Sequence, residues 1–144
     1  MNHCVITMPV KKTFQPVLSK DVCLIYELLY RRGFVSFPLT KEGQAGIDAV
    51  VASINGVYFG QNIYQTAEEK AVAYLYFLIK DHPFTDGNKR TAVLIFEIIC
   101  RINDLRPNYK DAPLDAVAVF IEKTSEPDHH LVISALAKIL FHLS

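Results

Sequence analysis

Residues 66–103 read TAEEKAVAYLYFLIKDHPFTDGNKRTAVLIFEIICRIN, two apolar helical stretches joined by a short polar loop. Thr66, with Glu69 three positions later, has the pattern in which a threonine and a glutamate cap each other's backbone donors, so a helix opens there. That helix is expected to bury Ala67, Ala71, Tyr74, Leu75 and Leu78 and to run to about Asp81. His82 must leave the helix, because the ring of Pro83 disfavours α geometry in the residue before it. From Asn88 or Lys89 a second helix runs through Ala92, Val93, Leu94, Ile95, Phe96, Ile98 and Ile99 and stops near Asn103 and Asp104. Being apolar nearly all round, it is expected to be the central helix of a bundle.

The flanks extend the same class. Ser19 is positioned to cap a helix with Asp21 in its first turn, an apolar stripe of Val22, Ile25, Leu28 and Leu29, and a stop at Arg31-Arg32-Gly33. After the turn-like Phe37-Pro38-Leu39, Thr40 caps a helix carrying Ile47, Val50, Val51 and Ile54, which Asn55-Gly56 ends despite Gly43 and Gly46 inside it. Residues 57–64 are short, aromatic and β-branched, with Gly60-Gln61-Asn62 placed like a turn, which suggests a hairpin or extended flap. Pro113 opens a helix with Val117, Phe120 and Ile121, and Ser125 with Asp128 begins a last one reaching about His142. The expected fold is all-α, a bundle of about six helices with a short β-hairpin flap before the motif-bearing helix. Residues 1–17, with Pro9 and Pro16 and no helical period, read as an extended N-terminal arm with a short strand at Val5 to Met8. Residues 18–144 read as one domain.

Composition narrows the function classes. The 144 residues contain 15 Lys plus Arg against 15 Asp plus Glu, so no global field favours a nucleic acid or an anionic membrane, and neither partner is expected. The most apolar runs, 71–79 and 92–100, fall short of the roughly 20 residues that span a bilayer. Met8-Pro9 is followed by Lys11-Lys12 where a signal peptide would stay apolar. Cys4, Cys23 and Cys100 are too far apart for a zinc knuckle or redox pair, and three buried thiols in a reducing, cytoplasmic compartment is the expected reading.

The chemistry concentrates in His82-Pro83-Phe84-Thr85-Asp86-Gly87-Asn88-Lys89-Arg90. Gly87 permits backbone conformations closed to other residues, so successive N–H groups can point at one anion beside the positive end of the helix that follows. Lys89 adds a point charge and Arg90 a planar fork suited to phosphate oxygens. Asp86 supplies a hard oxygen of the type that holds Mg²⁺ together with nucleotide phosphates. His82 supplies an imidazole, a group whose unperturbed pKa of about 6.5 lets it take the proton of an alcohol attacking phosphorus. Phe84 is expected to anchor the loop in the core. Each residue alone has an ordinary structural explanation as turn, cap or solvated first turn; the joint pattern does not.

That pattern resembles the signature of the Fic/Doc family in its lysine-containing, Doc-like (death-on-curing) form. The surroundings are similar over residues 18–103, with the helix at 47–54, the flap at 58–64 and the Thr66-Ala67-Glu68-Glu69-Lys70 opening. The resemblance implies that His82 is the general base, Asp86 the Mg²⁺ ligand, and Gly87, Asn88 and Arg90 the groups holding the phosphates of ATP or another nucleoside triphosphate. It further implies that the flap, with Gly60 and Gln61 as candidates, pins an extended stretch of a target protein by main-chain pairing. A plain helix connection is an equal reading of the flap.

Two departures bear on the reaction. The adenylylating form of the family has glycine where Lys89 stands and an arginine where this chain has Val93. Lysine takes room from one phosphate, and the missing arginine loosens the grip on a triphosphate tail, so the nucleotide is expected to sit reversed. In Doc-like members that arrangement goes with transfer of the terminal phosphate to a translation factor or GTPase, by a toxin held by a separate antitoxin protein. An internal inhibitory pattern, Ser/Thr-x-x-x-Glu-Gly/Asn, is absent, since its one candidate, Glu42-Gly43, has Pro38 four residues before the glutamate. Phosphorylation of a target hydroxyl is the leading expectation, AMP transfer the alternative, and a non-catalytic helical partner-binding module the alternative of another class. His129-His130 reads as a solvated helix start, and Tyr74, Tyr76 and Phe77 as core packing.

Overall fold

The structure, a computed structural model, describes residues 13–81 and 87–142. The loop residues His82, Phe84 and Asp86, the candidate strand at Val5 to Met8 and Cys4 lie outside the described residues. Six helices and one hairpin follow in order: α1 Ser19–Arg31, α2 Lys41–Ile54, β1 Val57–Tyr58, β2 Gln61–Asn62, α3 Ala67–Lys80, α4 Asn88–Ile102, α5 Leu114–Lys123 and α6 His129–Phe141. The all-α class is that expected. No described helix is long and apolar enough to cross a membrane.

The helix starts divide into two kinds. Thr40 and Thr66 cap α2 and α3 as expected, accepting the N–H of Gly43 at 2.9 Å and of Glu69 at 3.1 Å. Ser19 does not cap α1. The cap position is Leu18, whose N–H is received by the Asp21 carboxylate at 3.2 Å, while the Ser19 hydroxyl reaches across to Asp48 on α2. Likewise Asp128, not Ser125, caps α6 by accepting the N–H of Leu131 at 3.0 Å, and Pro113 stands at the cap of α5 rather than in its first turn.

At the end of α1, Gly33 takes φ 78°, its N–H bonds to the Tyr30 carbonyl and that of Phe34 to the Leu29 carbonyl. This paired closure turns the chain sharply after the helix. It sends Val35 inward, where it is 3% exposed.

The hydrophobic centre is α3, not α4. Ala71 through Tyr76, Leu78 and Ile79 are all fully buried, because α3 packs against α2, α4, α5 and α6. On α4 burial is confined to Thr91, Ala92, Ile95, Phe96, Ile99 and Cys100, leaving Val93, Leu94 and Ile98 half-buried. The apolar stripe of α1 also turns by one position: Tyr26 is buried, and Leu28 is exposed. Phe120 of α5 faces outward and Ala118 inward.

Two polar clasps tie outlying segments to α3 and to the end of α4. The Tyr74 hydroxyl donates to the Val17 carbonyl at 2.8 Å and accepts from Asn55 Nδ2 at 2.9 Å. Gln15 exchanges two hydrogen bonds with Asn103, at 2.7 and 2.9 Å, so residues 13–17 lie on the helical body. His129 and His130 open α6 and are exposed, as expected, and each ring also makes a contact. His129 Nδ1 shares a hydrogen bond with the buried Tyr76 hydroxyl, and the His130 ring stacks on Tyr64 with centroids 5.5 Å apart.

The hairpin pairs Val57 with Asn62 and Tyr58 with Gln61. Its two turn residues, Phe59 at φ 51° and Gly60 at φ 79°, are both left-handed, as a two-residue turn matched to strand twist requires. That conformation costs a phenylalanine more than it costs glycine.

Candidate functional site

The described part of the site begins at Gly87, the N-cap of α4, in the left-handed conformation with φ 73° and ψ 23°. Glycine is required there twice over. Any Cβ at Gly87 would also stand 2.3 Å from Cγ1 of Val35, so the turn after α1 presses directly on the backbone that opens α4. The Gly87 carbonyl accepts the Thr91 N–H at 2.9 Å, closing the first helical turn. Asn88, Lys89 and Arg90 make up that turn, which contains no acidic residue. The dipole of α4 favours an anion at such an end.

The two cations are held on opposite sides. Lys89 Nζ lies 3.0 Å from each carboxylate oxygen of Glu122 on α5, with both side chains partly exposed. Arg90 donates through Nη1 to the carbonyl of Phe34, in the turn that also carries Val35. The structure thus gathers Gly87, Asn88, Lys89 and Arg90 at one helix end, and it couples that end to the α1–α2 turn and to α5. Neither coupling is written in the motif. Glu122, Phe34 and Val35 have no local pattern that would mark them, since each acts through a neighbour distant in sequence.

Two further features were not anticipated. Thr91 is fully buried, and its Oγ1 has no hydrogen-bond partner among the described residues. Beside the cations, α4 and α5 leave a cavity of about 320 Å³ lined by Lys89, Arg90, Val93, Asp115, Ala118 and Val119. Val93 thus stands in the wall of a groove.

Gly60 and Gln61 are exposed on the hairpin, and Phe59 at its tip is fully exposed. Asn62 Oδ1 accepts from Lys70 Nζ at 3.5 Å, which sets the hairpin against the first turn of α3. Burial lowers the pKa of Lys70, whose ammonium also lies 5.1 Å from the Phe14 ring centroid.

Among the described residues the cysteines offer no rival centre. Burial, with lesser help from the charges of Glu97 and Glu68, pushes the Cys100 thiol up to about 12, which keeps it protonated and unreactive at neutral pH. Cys23 is half-buried rather than buried, and burial raises its pKa too, ahead of the nearby Asp48 and Glu27 charges. Among the described residues no three His, Cys, Asp or Glu side chains group as metal ligands.

The model of the Fic/DOC family matches residues 16–100, from the segment clasped by Tyr74 through most of α4. No curated protein and no solved structure matches the chain.

Proposed function

Because the chain belongs to the Fic/DOC family, a family of enzymes that transfer nucleotide-derived groups, we propose that it moves the terminal phosphate of ATP or another nucleoside triphosphate onto a hydroxyl of a target protein. The observation carrying this reading is the distribution of positive charge along α4. Lys89 and Arg90 stand in its first turn, and one turn on position 93 is an uncharged valine in the wall of the groove. A site so charged grips phosphates at the helix end and offers apolar wall beyond it.

In this reading the α4 amides, Lys89 and Arg90 neutralise the charge that spreads over the transferring phosphoryl oxygens. Gly87 lets the backbone approach that anion closely. His82 takes the proton of the target hydroxyl as its oxygen attacks phosphorus. Asp86, immediately before Gly87 in the chain, is of the donor type that suits Mg²⁺, which binds through one or two carboxylates together with substrate phosphates. When bound, the ion supplies further charge neutralisation. The exposed Gly60 and Gln61 offer the target an edge for main-chain pairing. A cytoplasmic toxin acting on a translation factor or GTPase, restrained by a separate antitoxin protein, fits this activity.

Incubation with cell extract and nucleotide labelled at the α or the γ phosphate tests the proposal. Label from the γ position alone is expected on a protein band, and His82→Ala should abolish it. Label retained only from the α position would establish AMP transfer instead. Toxicity on expression that His82→Ala leaves unchanged, at equal abundance, would show a non-catalytic binding module.

A further inference from the structure

Resting on that reading of the α4 end as a phosphate site, we propose that Thr91 is a positioning residue for it: the buried hydroxyl pairs with the Gly87 carbonyl as a phosphate binds, and so tightens the grip of the first helical turn. Thr91 is fully enclosed, and its Oγ1 has no hydrogen-bond partner among the described residues. The buried tyrosines are the contrast. Tyr26 donates to the Phe37 carbonyl at 2.7 Å, Tyr74 to the Val17 carbonyl at 2.8 Å, and Tyr76 shares a hydrogen bond with His129. Sealing a hydroxyl from water with no partner is unfavourable. Valine has the same branched outline and no polar atom, so packing alone gives no reason for the hydroxyl.

The hydroxyl lies where the helix end is built. Thr91 stands one turn after Gly87, and its N–H donates to the Gly87 carbonyl at 2.9 Å. A Cβ built on Gly87 would meet two atoms of Val35 first and then Thr91 Oγ1, at 3.9 Å. The hydroxyl thus shares one small space with the Gly87 backbone and with an apolar side chain that offers it nothing to bond. A helical threonine uses two χ1 rotamers because its Oγ1 can reach a carbonyl three or four residues back. Four residues back from Thr91 is Gly87. A carbonyl oxygen has two lone pairs, so it can accept the hydroxyl together with the Thr91 N–H.

The Gly87 carbonyl belongs to the same peptide group as the N–H of Asn88, the first residue of α4. Donation from that N–H to a phosphate polarises the peptide and makes its carbonyl a stronger acceptor, as in hydrogen-bond chains generally. A phosphate at the helix end and the hydroxyl beneath it therefore reinforce each other through one peptide group. Closing the bond also removes the penalty of the unpaired hydroxyl, and that release adds to binding. The hydroxyl acts with opposite signs: it lowers stability and raises affinity.

Calorimetry of inorganic tripolyphosphate with Mg²⁺, alongside thermal melting, on the full chain and three variants tests the proposal. Thr91→Val should melt no lower than the parent and bind tripolyphosphate about fivefold more weakly, the scale of one net hydrogen bond. Thr91→Ser keeps the hydroxyl and should bind as the parent does, although the lost methyl group lowers its melting temperature. Thr91→Ala should bind as weakly as Thr91→Val, and it replaces that variant in the comparison should the valine not fold. A merely structural role would shift melting temperatures and leave the affinities of the folded variants equal. Parental affinity in the valine or alanine variant, or a serine variant as weak as the alanine one, would overturn the proposal while leaving the phosphate site in place. Failure of the unsubstituted chain to bind tripolyphosphate would instead overturn the phosphate site and this proposal with it.

Discussion

Gly87 and Val35 are in contact such that a single methyl group cannot be added between them: a Cβ on Gly87 would lie 2.3 Å from Val35 Cγ1. Gly87→Ala should therefore destabilise the fold on two counts. The left-handed backbone costs a non-glycine residue about 1–2 kcal/mol, and overpacking adds roughly 1–3 kcal/mol. Val35→Ala in the same chain removes the clash but not the backbone cost. Denaturant midpoints of the two single variants and the double variant should reveal a favourable coupling of about 1 kcal/mol or more. Additive effects would mean that the two residues do not press on each other.

Lys89 is engaged by Glu122 at 3.0 Å in a partly exposed pair. Such pairs contribute little, so Glu122→Gln should change stability by less than about 1 kcal/mol. It should also release Lys89 for phosphate. Affinity for a nucleoside triphosphate is expected to rise about two- to fivefold at low salt, with the gain fading as salt screens the charges. A fall in affinity would show that Glu122 orients Lys89 rather than competing for it.

Tyr74 is fully buried and its hydroxyl joins the Val17 carbonyl to the Asn55 amide. Tyr74→Phe keeps the ring and strands both partners, although Asn55 Nδ2 retains its bond to the Val51 carbonyl at 3.0 Å. The cost should be about 1–3 kcal/mol. Residues 13–17 should at the same time become easier to cleave. A neutral substitution, with unchanged proteolysis there, would dismiss the clasp.

Stability should decline at alkaline pH. Burial, the first cause in each case, raises Cys100 from 9.0 to about 12 and Tyr109 from 10.0 to about 12, and raises Tyr64, Tyr74 and Tyr76 as well. A group whose folded pKa lies above its unfolded value stabilises fully below the unfolded value and loses that contribution as pH rises through the folded one. The stabilisation from Cys100 is thus lost between pH 9.0 and about 12, and that from Tyr109 between 10.0 and about 12. Lys70, whose pKa burial lowers, works in the opposite sense. Melting temperature should fall across this window, together with a rise in tyrosinate absorbance. A melting temperature that holds steady to pH 12 would contradict the burial of these phenols.

What the sequence disclosed depended on how local each cause was. Thr40, Thr66 and Gly33 act within a few residues of themselves, so the starts of α2 and α3 and the end of α1 were legible. Ser19 and Ser125 have the right chemistry for caps, but the Ser19 hydroxyl is drawn to Asp48 and α6 opens later, where Asp128 takes the Leu131 N–H. Apolar content alone misassigned the central helix. It tells that α4 could be covered on many sides, whereas only the placement of α2, α5 and α6 decides that α3 is. At the site, the residues of the motif were readable because they are consecutive. Their restraints were not, since Val35, Phe34 and Glu122 reach Gly87, Arg90 and Lys89 across the fold.

The seat of Gly87 on Val35 also sets an order of events during folding. Helices α3 and α4 are neighbours in the chain and can pair early, while the turn after α1 must travel back from a distant segment, and contacts of that kind form slowly. Until Val35 arrives, the left-handed turn at Gly87 lacks that contact. A nascent or partly opened chain therefore carries Gly87 and the first turn of α4 without the restraint that Val35 supplies. Maturation of the site and completion of the fold become one step.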